Sequence, residues 1–123
     1  MITLKDSTII HKGLAPEMFY ALGVAACLKH RMYAMNTVVT ALLDGKHNPG
    51  SLHPLGRAAD LRAKDLKDSE AISWFEAVRA QLEPMGFDCV WEGGIGATPA
   101  TTGAHLHLEF QLKPGELFWH YAK

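Results

Sequence analysis

An α+β domain, a small antiparallel sheet with helices packed on one face, is predicted by three features of this 123-residue chain. Apolar residues recur at helical spacing from Pro16 to Ala34 and again from Asp68 onward. Short β-branched or strictly alternating runs appear at 37–43, 57–62, 87–91 and 105–111. No internal repeat, low-complexity tract or linker interrupts them, so residues 1–123 are expected to form one domain.

The elements follow in order. Residues 1–14 form a leader whose Ile2, Leu4, Ile9 and Ile10 suit an edge strand or a docking arm. Pro16 opens the first helix, because the first turn has no use for the N–H that proline lacks. Its apolar positions are Phe19, Leu22, Val24, Cys27, Leu28 and Met32, and the small Ala21, Gly23, Ala25 and Ala26 permit close packing on a sheet. Thr37–Leu43 begins with β-branched residues and reads as a strand. Asp44–Pro54 carries glycines and prolines and reads as a loop. Arg57–Arg62 is a strand with Ala58, Asp60 and Arg62 on one face and Ala59 and Leu61 on the other. Asp68 or Ser69 caps the second helix, whose stripe is Ile72, Phe75, Val78 and Leu82, and Pro84 and Gly86 end it. Phe87–Trp91 is the next strand. Gly93–Gly103 is a glycine- and threonine-rich loop leading to His105–Gln111. There His105, His107 and Glu109 share one face and Leu106, Leu108 and Phe110 the other.

Composition narrows the function. Net charge is −1 and no block of like charge occurs, which argues against a nucleic-acid surface. The longest apolar stretch, Ala21–Leu28, is too short to span a membrane. Residues 1–14 lack the pattern of a secretory signal, so cytoplasmic synthesis is expected. Cys27 and Cys89 lie in apolar stretches without a C-x-x-C and read as buried thiols. The seven histidines are many for this length and favour a metal.

Their spacing carries the chemistry. Ser51–Asp60 reads S-x-H-x-x-G-x-A-x-D, and His105-Leu106-His107 follows on a late strand. His53, Asp60 and His107 supply three ligands for a tetrahedral Zn²⁺ and leave one position for water, as in a catalytic zinc site. Gly56 provides the backbone freedom to fold His53 and Asp60 around a tight turn, and Ala58 and Ala59 leave room beside Asp60. Metal-assisted hydrolysis is the chemistry such a site supports.

Together these motifs, over residues 47–113, resemble the zinc peptidases of the D-alanyl-D-alanine carboxypeptidase type. That group includes L-alanyl-D-glutamate endopeptidases, shares its fold with the hedgehog zinc domain, and has compact phage members acting as endolysins. The resemblance implies zinc held by His53, Asp60 and His107 and a substrate among bacterial peptidoglycan stem peptides or cross-bridges. It implies action on the cell wall after release or delivery. His47, six residues before His53, and the H-x-H matched by His105 are similar to the hedgehog layout.

The family's glutamate stands three or six residues before the last zinc histidine, and those positions are Ala104 and Thr101 here. Glu92 and His105 are therefore the two choices for the base. If the last two strands pair as a hairpin, Glu92 and His105 sit at the same end of the sheet. Glu109 is placed to orient a ligand imidazole. Ser51, Arg57 and His47 are candidate substrate contacts, with Arg62 a weaker one. The competing readings are a catalytically silent zinc-binding module, serving as a phage structural or wall-binding part, and a cupin-type metal enzyme, which would need one more histidine than the chain offers at suitable spacing.

Overall fold

The computed structural model describes residues 2–43, 56–92 and 105–110. Five strands and two main helices make up this part: β1 (Ile2–Leu4), α1 (Pro16–Tyr33), β2 (Thr37–Ala41), β3 (Ala58–Arg62), α2 (Asp68–Leu82), β4 (Phe87–Glu92) and β5 (His105–Phe110). A single 3₁₀ turn, Glu83–Met85, follows α2. The sheet order is β1-β2-β3-β5-β4. The α+β class is as expected, but the sheet is not wholly antiparallel. β1 runs parallel to β2, with Ile2 opposite Thr37. The reason is connectivity: α1 lies between them in the chain and returns it to the starting end, which is how parallel neighbours are joined. The other pairings are antiparallel.

One face of the sheet is the core. Val39, Leu61, Leu106, Leu108, Phe87, Cys89 and Phe110 are buried there with side chains of both helices. The stripe of α1 differs from the one expected: Met18, Ala21, Leu22, Ala25, Ala26 and Lys29 are buried, whereas Phe19 is 60% exposed and Met32 39%. Three alanines let the helix backbone approach closely beside Met18 and Leu22, while Phe19 and Met32 are left outside. Lys29 tolerates burial because its Nζ reaches both Asp65 carboxylate oxygens at 2.9 Å and the Arg62 carbonyl at 3.3 Å. It also lies 4.9 Å from the Trp74 ring centre. In α2 the buried side chains are Ala71, Trp74, Val78 and Leu82. Trp74 donates from Nε1 to the Ala25 carbonyl at 3.0 Å, which satisfies its polar edge and ties the two helices together. The helix starts one residue earlier than the expected caps, with Lys67 in the cap position. Glu70, three residues on, accepts the Lys67 backbone N–H at 3.0 Å.

Cys27 is exposed, contrary to expectation, because it lies on the outer side of α1. Cys89 is buried as expected, and burial pushes its thiol up to about 12, which leaves it inert at neutral pH. Gly56 does adopt a left-handed backbone, φ 70°. A Cβ there would collide with the Gly13 carbonyl oxygen, and the Gly56 carbonyl accepts the Ala15 N–H at 2.8 Å. The residue thus seats the entry to β3 against the start of α1.

Candidate metal centre

The opposite face of the sheet is polar, and register decides what meets on it. Arg62 of β3, His105 of β5 and Glu92 of β4 form one row across three neighbouring strands. Asp60, His107 and Val90 form the next. Ala58, Glu109 and Asp88 form the third. The expected hairpin between the last two strands exists and places Glu92 directly opposite His105. The register shift of β2 against β3 between Val39 and Ala41 falls beside Asp60, where irregular pairing can re-aim a side chain.

Asp60, Glu92 and His105 lie close enough to hold a metal ion. His105 Nε2 is 3.4 Å from Glu92 Oε2 and 3.6 Å from Asp60 Oδ1. Two ligands on one tetrahedral Zn²⁺ with bonds of about 2.0–2.1 Å stand about 3.3 Å apart. The His105 spacings are near that value and longer than a good hydrogen bond. His105 Nε2 is also buried without a hydrogen-bond partner, which is the condition of a nitrogen suited to a cation.

His107 meets the same carboxylates from the adjacent row. Its Nδ1 donates to Asp60 Oδ1 at 2.7 Å and lies 3.3 Å from Glu92 Oε1. Its Nε2 donates to Glu109 Oε1 at 2.8 Å. Burial disfavours the charged ring, but the hydrogen bond and charge of Asp60, the hydrogen bond to Glu109 and the charge of Glu92 together raise His107 to about 9. The ring is an imidazolium at neutral pH, and the proton on Nδ1 stands where a cation between His107 and Asp60 would. Glu109 holds the far nitrogen as an orienting carboxylate holds a metal-binding histidine.

Exposure separates three of these groups. The side chains of His107 and Asp60 are 11% and 15% exposed, and Glu92 is 46% exposed. Asp60 and His107 form the floor, and Glu92 is open to solvent at the rim. Val90, 44% exposed beside His107, adds an apolar surface that the sequence reading did not single out, although it alternates with Asp88 and Glu92.

The remaining candidates divide. His47, Ser51 and His53 lie outside the described residues, as do the 44–54 and 93–103 loops. The Arg57 guanidinium stands 5.9 Å from the ring centre of Phe110, a core residue, and among the described residues it has no ion pair with the cluster. Arg62, the weaker candidate, is the arginine on the Asp60 face. No family model matches this chain, and no curated protein matches it. Among the described residues no helix is long and apolar enough to cross a membrane.

Proposed function

We propose that this chain is a zinc-dependent peptidase acting on peptidoglycan peptides. The observation that carries the reading is the meeting of Asp60, Glu92, His105 and His107 on one sheet face, in the motif order the zinc peptidases use. Asp60 and His107, with His53 from the S-x-H-x-x-G-x-A-x-D segment, would hold the ion. Glu109 fixes the His107 ring. A bound zinc supplies Lewis acidity toward the attacking water and the scissile carbonyl. Glu92, the most exposed acid of the cluster, accepts the proton of that water and returns it to the leaving amine. His105, 3.4 Å from Glu92, supports this proton transfer.

A second allocation has its own support. The unpartnered Nε2 of His105 and its ligand-like spacing to Asp60 and Glu92 favour those three residues as the ion's holders. Zinc content of the single variants separates the two. His107→Ala loses zinc and His105→Ala keeps it under the first allocation, and the outcomes exchange under the second. Peptide release from purified cell walls, abolished by a chelator and restored by zinc, tests the activity itself. A protein that binds zinc and releases nothing is the silent module instead.

A further inference from the structure

The outer face of α1 is apolar. Phe19 and Cys27 are exposed on it, and Val24 and Leu28 are half-buried. These four, with Gly23 and Arg31, line most of a groove of about 420 Å³. An exposed apolar patch with charge only at its rim marks an interaction site. Gly23 lies at the middle of this face and is exposed. Glycine inside a helix costs stability relative to alanine. A methyl at Gly23 would meet nothing within 4 Å, so packing among the described residues gives no reason for the missing side chain. A bare position there does let a second backbone come close.

Charge says which backbone. Glu17 is in the first turn of α1, and His30 and Arg31 are in the last. From Met18 to Leu28 the helix carries no charged residue. Glu17 and Arg31 stand about 21 Å apart along the axis and within about 40° around it, on one side of the helix. They are too far apart to pair with each other. A second α1 running the opposite way, with a two-fold axis between Gly23 and Val24, brings Glu17 of each helix to the His30–Arg31 end of the other. It also sets Phe19 of each helix opposite Leu28 of the other, in the groove. Parallel pairing instead opposes Glu17 to Glu17 and Arg31 to Arg31. A patch that complements itself in this way is what a two-fold interface requires. We infer that α1 pairs antiparallel with α1 of a second copy of this chain, in a symmetric dimer. The helices cover one face of the sheet and the metal cluster lies on the other, so the polar faces of both copies stay open. The dimer does not depend on the peptidase reading.

One helix face makes a small interface, so a dissociation constant of about 10–100 µM is expected. Sedimentation velocity of the full chain from about 5 to about 500 µM should follow the passage from monomer to dimer. Phe19→Glu puts a carboxylate in the groove and should weaken association by more than about ten-fold. Glu17→Lys should weaken it about five-fold at low salt, and adding Arg31→Glu to that variant should restore it. The exchanged charges meet again only in the antiparallel alignment. Cys27 reports the same geometry. Its two copies would lie about 10 Å apart along the axis, within reach of a short bis-maleimide. Cys89, the chain's other cysteine, is buried and does not compete. The substituted side chains are exposed or half-buried, so the variants are expected to fold, which circular dichroism checks. Wild-type protein that stays monomeric at the highest concentration overturns the inference without any variant. If its Cys27 also resists maleimide, the face is covered within the same chain instead. A dimer that survives Phe19→Glu overturns the inference, and so does a double charge variant as weak as Glu17→Lys.

Discussion

Glu109→Gln keeps a hydrogen-bond acceptor beside His107 and removes its charge. If Glu109 orients a ligand imidazole, zinc affinity falls by about 10–100-fold, as read by competition with a chromogenic chelator. Unchanged affinity means that the 2.8 Å contact has no part in holding metal. Glu92→Gln is expected to keep zinc and lower kcat by about 10²–10⁴-fold, and full activity in that variant passes the base to His105. In chelated protein His107 also makes stability depend on pH. Its folded value is raised to about 9 from the ordinary 6.5. The contribution is fully present below 6.5 and is lost as pH rises through about 9. Urea midpoints of chelated protein between about pH 6 and about pH 10 should fall over that window and flatten in His107→Gln. The alternation of His105, His107 and Glu109 was legible in the sequence because strand periodicity alone decides it. The nearness of Glu92 was legible only through an assumed hairpin, since a loop separates it from His105. Strand alternation alone puts Arg62 on the face of Asp60, whereas Arg57 stands before β3 and lies by the Phe110 ring.

At the scale of elements, strands were easier to read than helix faces. β3, β4 and β5 each show alternation or β-branching over a few residues, and their boundaries moved by a residue or less. In α1 hydrophobicity misled, because Ala21, Ala25 and Ala26 pack inward while Phe19 stays out. A lysine inside the stripe has no signature in sequence until its acid is found, and Asp65 lies far from Lys29 along the chain. This pair links α1 to the turn after β3, and it is testable. Asp65→Ala leaves the fully buried Lys29 unpaired and should cost roughly 3–5 kcal/mol in urea unfolding. Adding Lys29→Met should restore most of that loss, since an apolar chain of similar length suits the surroundings of Trp74. No recovery in the double variant means the pair does more than neutralise a buried charge. The parallel β1 was not foreseen as parallel, since nothing within three residues states the direction of their partner.

Across the whole molecule, the two faces of one sheet divide the work. Helices cover the apolar face and fix the strands, and the polar face holds carboxylates and imidazoles at spacings that suit a divalent cation. The proton between His107 and Asp60 balances part of that negative charge when no metal is bound. Asp60 belongs to both allocations of the ligands and so stands at the centre of the account. The most direct measurement is the zinc content of wild-type protein and of folded Asp60→Ala, by elemental analysis after dialysis against limiting zinc. The account predicts one tightly held zinc per wild-type chain and none in the variant. A wild-type chain that retains no transition metal, or an Asp60→Ala chain that retains a full equivalent, contradicts it.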